Sequence, residues 1–269
     1  MAPSPTFKAL KVWMDDDLVG HIQLNRPQAA NSMNEEMWTE LPRSQSARVI
    51  LVTGAGRNFC AGIDVASLGS TVLSHDASCA ARSAYRFRAG LTRLQEAMTA
   101  LERVRCPTVA LVHGHCVGAG VDLITACDIR FATTDAKLCV KEVDLAVIAD
   151  MGTLQRLPGI VGQGHARELS LTARVFSGEE AKQMGLATAA LPSRDELERH
   201  GLAVAQGIAA KSPVAVAGTK QVLLYQRDHT VADGLDYVNT WNAGMLHSAD
   251  FAEVFAAMKE RRKPVFSKL

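Results

Sequence analysis

The sequence predicts an α/β fold in which a layered core of strands and helices precedes a helical tail. Three observations carry that reading. Two β-branched runs, Arg48 to Thr53 and Thr108 to Val112, each lead into a Gly-containing turn and then into helical periodicity, the alternation expected of parallel strands. After about residue 163 the pattern turns helical. The length, 269 residues, suits one large α/β domain with an appendage or two small domains, at roughly 150 residues per domain. The expected division is a core over 1–190 that holds the site and a helical region over 191–269.

Taken in order, Ala9 to Met14 and Leu18 to Leu24 read as two strands joined by the acidic turn Asp15-Asp16-Asp17. Asn25-Arg26-Pro27 stops the second strand, and Asn34 to Leu41 reads as a short helix ended by Pro42. Arg48 to Thr53 is a buried strand closed by Gly54-Ala55-Gly56. Across Ala80 to Arg103, Leu91, Leu94, Met98 and Leu101 recur at helical spacing. Strand Thr108 to Val112, a Gly-rich turn and an apolar helix Val121 to Ala126 follow. Ile129 to Ala132 and Lys137 to Val140 are further strands. The tail reads as helix over Gly164 to Leu171, Gly178 to Met184, Arg194 to Ala210, Pro213 to Tyr225 and Thr230 to Met258.

Composition excludes several classes. Hydrophobic residues at 48% and charged residues at 21% argue against wholesale disorder. A net charge of +1 gives no electrostatic ground for a nucleic-acid partner. No apolar run approaches the roughly 18 residues of a membrane span. The six cysteines form neither a CxxC pair nor a zinc-type spacing, so reduced and mostly buried thiols are expected, with no metal. The N-terminal residues lack a signal-peptide pattern, and Ser267-Lys268-Leu269 matches a peroxisomal address.

Two turns could carry chemistry: Asn58 to Asp64 after the first buried strand, and His113 to Asp122 after the second. Small residues admit a ligand close to the backbone, and a helix N-terminus offers unpaired N–H groups to an oxyanion. The same glycines also suit plain tight turns, and neither turn supplies a dinucleotide-binding GxGxxG in its proper context. Three carboxylates follow. Asp122 lies in the first turn of a helix, Glu142 in Lys141-Glu142-Val143-Asp144, and Asp150 in the apolar stretch Leu145 to Met151. Asp150 is either the N-cap of the next segment or a functional acid, and the residues leave both open. Asp122 suits a helix dipole as well as a site, and Glu142 suits a surface. His113 and His115, without a nucleophile pattern nearby, read as structural.

The segments LNRPQAANSM, RNFCAGIDVASL, HGHCVGAGVDLITACDIRFA and KEVDLAVIADMGTLQRLPGIVG together resemble the crotonase (enoyl-CoA hydratase/isomerase) superfamily, from about Lys11 to Pro264. Within it, AGID, TACDIR, KEVD with an Asp eight residues later, GTLQRLP, KSPVAV and the terminal FSKL are most similar to the Δ3,5-Δ2,4-dienoyl-CoA isomerase family. The resemblance implies a spiral of ββα units with C-terminal helices used in trimerisation. It assigns the oxyanion-hole donors to the backbone N–H groups of Ile63 and Ala119. Ala61, Gly62, Ile63, Asp64 and Val65 would run along an acyl-CoA, the substrate, and Asp122, Glu142 and Asp150 would be the catalytic acids. Arg261 and Lys263 would meet CoA phosphates.

The implied reaction shifts a 3,5-dienoyl-CoA to a 2,4-dienoyl-CoA with no cofactor, in unsaturated fatty acid β-oxidation. A homotrimer or hexamer, an import receptor reading the terminal tripeptide, and a peroxisome or related organelle complete the expectation. The alternatives are an enoyl-CoA hydratase and a catalytically silent CoA- or RNA-binding scaffold. Two departures stand out: the stretch between Met33 and Arg48 is about seven residues shorter than expected, roughly two helical turns, and Ala119 stands where many relatives have glycine.

Overall fold

A computed structural model describes residues 7–41, 47–64 and 79–269. The core is a six-stranded sheet built from β1 (Leu10–Met14), β2 (Val19–Leu24), β3 (Val49–Gly54), β4 (Thr108–Val112), β6 (Ile129–Thr133) and β9 (Ala189–Leu191), paired in the order β1-β2-β3-β4-β6-β9. Only the β1–β2 hairpin in it is antiparallel. A second sheet of β5 (His115–Val117), β7 (Lys137–Cys139) and β8 (Phe176–Ser177) stands beside it, in the order β5-β7-β8. The mixed α/β core expected from the sequence is thus present.

β3 and β4 are buried on nearly every residue, so both faces of the sheet must be covered. On one face lie α2 (Ala80–Arg103), α3 (Ala119–Ala126) and α4 (Thr153–Thr172), around a core that includes Ile22, Val52, Met98, Leu123 and Leu157. On the other, α6 (Arg194–Ala209) seats Leu197 and Ala205 against Val49, Leu51, Val109 and Phe131. Every residue of α3 is buried, which explains why its sequence is apolar on all sides and why the one acid inside it stands out.

The helix starts follow capping chemistry. Asn34 caps α1 (Glu35–Glu40), and Ser177 and Glu180 form a capping box at α5 (Gly178–Gln183). Ser193 caps α6, and Ser212 caps α7 (Pro213–Tyr225), whose first residue is Pro213. Two boundaries differ from expectation. The expected helix Gly164 to Leu171 is the second part of α4, which starts earlier, at Thr153, runs through Pro158 and breaks at Gly162 (φ +78°, ψ 162°), where the backbone leaves helical geometry. The stretch Thr230 to Met258 is two helices, α8 (Val231–Met245) and α9 (Ala249–Glu260), with Ser248 capping the second. Pro42 lies outside the described residues.

Lys220 fastens the tail to the core. Its buried ammonium pairs with Asp128 at 2.7 Å and donates to the carbonyls of Leu101 (3.4 Å) and Cys106 (3.0 Å). All six cysteines are free, and all but the partly exposed Cys79 are buried. No described helix is long and apolar enough to cross a membrane.

Candidate active site

The turns after β3 and β4 meet at the carboxyl ends of the parallel strands, where open α/β sheets place their ligands. Cys60 and Cys116 form an isolated parallel bridge, closed by Cys60 N–H to His115 O (3.0 Å) and Val117 N–H to Cys60 O (2.9 Å). Two residues on, Met33 N–H donates to Gly62 O (2.8 Å) and Asp64 N–H to Met33 O (3.0 Å). That pairing spends the groups on either side of Ile63 and turns its own N–H away from Met33. Ala119 opens α3, where the helix ladder leaves N–H groups free. Among the described residues neither N–H has a partner.

Gly118 lets the two turns close on each other. Its φ of +51° disfavours a side chain, and an added Cβ would lie 3.3 Å from Glu142 Oε1 and 4.0 Å from Gly62 Cα. Glu142, at the start of a 3-10 turn (Glu142–Leu145), therefore reaches the seam beside Ala119. Burial, with the negative charge of Asp122 adding to it, pushes the Glu142 carboxyl up to about 7. Its Oε2 is buried without a partner among the described residues.

Asp122 is fully buried in the first turn of α3. Its Oδ1 accepts from Thr153 N–H at 2.7 Å, while Oδ2 has no partner among the described residues. Burial raises this carboxyl above the ordinary aspartate range, and the charge of Asp150 raises it further. Asp150, half-buried, lies two residues before Gly152, the N-cap position of α4, and makes no side-chain cap there. Of the two readings left open by the sequence, helix capping is thereby removed for Asp150 and passes to Asp122. Burial raises the Asp150 carboxyl as well. The charges of Asp122 and Asp150 both raise the Glu142 carboxyl, after burial, and that of Asp150 adds to the rise at Asp122.

Asp64 pairs with Arg26 at 2.8 Å, and Arg26 also donates to Ser32 O at 2.6 Å. Buried Asn31 donates to the carbonyls of Ala55 and Asn58, both at 2.8 Å, and so holds the base of the Ile63 turn. The sequence reading missed these two clasps and the partnership with Thr153. The signal was two polar residues, Arg26 and Asn31, just beyond an apolar strand. Val65 lies outside the described residues. Arg261 and Lys263 are exposed at and beyond the end of α9, and among the described residues neither is bonded to the carboxylate cluster. His113 bonds Gly56 O at 3.1 Å and His115 bonds Asn58 Oδ1 at 2.8 Å, structural contacts in both cases.

Residues 15–268 match the enoyl-CoA hydratase/isomerase family model. The chain belongs to that family. Among curated relatives it is 47% identical to a peroxisomal Delta(3,5)-Delta(2,4)-dienoyl-CoA isomerase of Arabidopsis thaliana, over 94% of both chains. It is 42% identical to the mitochondrial Delta(3,5)-Delta(2,4)-dienoyl-CoA isomerase of Homo sapiens, over 100% of this chain and 85% of the human one. An enoyl-CoA hydratase from Bacillus anthracis superposes with a TM-score of 0.84 at 30% identity, covering 96% of this chain and 99% of its own. A putative enoyl-CoA hydratase from Thermobifida fusca, solved with acetoacetyl-CoA, gives 0.78 at 30% identity, covering 88% and 94%.

Proposed function

We propose that the protein isomerises a 3,5-dienoyl-CoA to the 2,4-dienoyl-CoA, a step in the β-oxidation of unsaturated fatty acids. A proton leaves C2, the electron pair delocalises onto the thioester oxygen as a dienolate, and a proton is added at C6. The N–H groups of Ile63 and Ala119, unpaired among the described residues, receive that oxygen. C2 adjoins the thioester carbon, so its base is the carboxylate nearest the oxyanion turn. We assign that role to Glu142, whose Oε1 lies 3.3 Å from the Cβ position of Gly118, and this approach is the observation that carries the reading. A single carboxylate can hardly span C2 and C6, so Asp150 serves C6 as the acid. Burial, with the negative charge of Asp122 adding to it, keeps Glu142 a base matched to neutral pH. After one turnover Glu142 holds a proton and Asp150 lacks one, and returning a proton to Asp150 resets the site. All electrons move within the substrate, so the reaction calls for no metal or redox cofactor.

Assembly and address belong to the same proposal. Val231 and Leu235 on α8 are 72% and 62% exposed, and Phe255 and Met258 on α9 are 57% and 69% exposed. That apolar surface suits burial between copies of the chain in a trimer or hexamer, with Arg261 and Lys263 meeting CoA phosphates. A peroxisomal location, through an import receptor for Ser267-Lys268-Leu269, agrees with the address of the Arabidopsis relative.

The deciding experiment follows the absorbance gained as a 3,5-dienoyl-CoA becomes conjugated with its thioester. Turnover that falls by about a hundredfold or more in Asp150→Asn supports the proposal. Hydration of a 2-enoyl-CoA without diene isomerisation would replace it with a hydratase in which Asp122 and Glu142 hold water. Absence of both activities would point to a silent scaffold.

A further inference from the structure

The turn that carries Asp150 is gripped by one face of α2. Gln95 Nε2 donates to the Asp150 backbone carbonyl at 2.7 Å. Thr99 and Glu102 follow four and seven residues along the same helix, and so share that face. Both bond the guanidinium of Arg156: Nη2 to Thr99 Oγ1 at 3.2 Å, Nη2 to Glu102 Oε2 at 3.0 Å, and Nε to Glu102 Oε1 at 3.3 Å. Arg156 in turn lies across Gly152, where φ is +126° and an added Cβ would fall 1.7 Å from Nη1. Gln95, Glu102, Asp150 and Arg156 all line one cavity of about 450 Å³.

A C6 donor must sit at a fixed distance from the base at C2, and an error of 1 Å in such geometry costs on the order of a hundredfold in rate. Asp150 has no capping bond of its own to hold it. Its backbone is held instead by the Gln95 amide, and the next turn by Arg156. We infer that Gln95 is a positioning residue for the isomerisation: it fixes the Asp150 carboxylate through the backbone, while Arg156, braced on Thr99 and Glu102, immobilises the turn that follows. The inference rests on the role of Asp150 proposed above.

Gln95→Met keeps the length of the side chain and removes the donor. The expected result is a kcat on 3,5-dienoyl-CoA lower by about tenfold, with KM changed less than about twofold, the mark of a loss confined to the transition state. Exchange of the substrate C2 proton with deuterated water, the step assigned to Glu142, should stay near wild type. In an Asp150→Asn background the same substitution should have no further effect, because both act through one carboxylate. Gln95→Leu, which also removes the donor and adds no charge, should behave in the same way and serves if the methionine variant does not fold. Wild-type kcat in a folded Gln95 variant, or losses that multiply with Asp150→Asn, would overturn the inference. Near-normal turnover by Asp150→Asn would instead overturn the role of Asp150, a separate outcome that also removes the basis for Gln95.

Discussion

The carboxylate of Asp122, in the first turn of α3, accepts a hydrogen bond at 2.7 Å from the backbone N–H of Thr153, the first residue of α4. Gly152, the N-cap residue of α4, has no side chain to do this, so an acid 31 residues away along the chain caps the helix. The same carboxylate is one cause of the raised Glu142 pKa. One residue therefore joins the packing of two helices to the basicity of the neighbouring acid.

Substitution separates those two duties. Asp122→Asn keeps an acceptor for Thr153 N–H and removes the charge, so stability should change little. Asp122→Ala also strands a buried donor and should cost about 1 to 3 kcal/mol. Both should move the acidic limb of the kcat/KM profile to lower pH, because a like charge has left Glu142 while its burial remains. Denaturant melts and pH–rate profiles of the two variants provide the check. An unmoved acidic limb in Asp122→Asn would disprove the electrostatic duty.

Glu142 should weaken the fold at neutral pH. Its folded pKa of about 7 exceeds the usual 4.5, so the folded chain binds the proton more tightly than the unfolded one. This group's contribution is most favourable below pH 4.5 and is lost as pH rises to about 7. Glu142→Gln should then be more stable than wild type at pH 8, by roughly 1 to 3 kcal/mol after allowance for solvent screening, and equal to it near pH 4.5. Its isomerase activity should be lost. Thermal melts at the two pH values decide, and an equal difference at both would refute the linkage.

Gly118→Ala tests the closeness of the seam. The positive φ and the 3.3 Å approach to Glu142 Oε1 both oppose a methyl group. A stability loss of about 1 to 2 kcal/mol is expected. Displacement of Ala119 N–H or of Glu142 should cut kcat by about tenfold or more. A variant with wild-type kcat would show that the seam tolerates more room than this geometry allows.

The exposed apolar faces of α8 and α9 predict an assembly larger than one 28.9 kDa chain. Light scattering at micromolar concentration should report it, and Leu235→Asp should shift it toward monomer while α8 stays folded. A wild-type monomer at that concentration contradicts the assembly.

Most elements were legible because each was written locally. The span of α2 was readable from the recurrence of Leu91, Leu94, Met98 and Leu101, and that of α7 from Ser212-Pro213 at its start. The first part of α4 was not, since Pro158 lies inside it and signals a stop, whereas the break that Gly162 signals is present. Ser248 was hidden inside a long helical pattern, although it is a good cap. At the site, type and surroundings left each of the three acids with a structural alternative, and their assignment as catalytic rests on the family resemblance. Their division of labour was not legible: capping by Asp122 depends on a contact across 31 residues, and the Arg26–Asp64 clasp on one across 38. Pairings at such range leave no period in a sequence.

The backbone bridge between Cys60 and Cys116, beside the Ile63 turn, bears on oxidative chemistry. Burial pushes the Cys60 thiol up to about 12 and raises Cys116 well above its ordinary value. Peroxides and alkylating agents attack the thiolate, and neither sulfur offers one at physiological pH. The bridge beside that turn thus carries sulfur that does not behave as a nucleophile. Mass spectrometry after peroxide treatment should find modification at the partly exposed Cys79 first, with the loop that holds Ile63 chemically untouched.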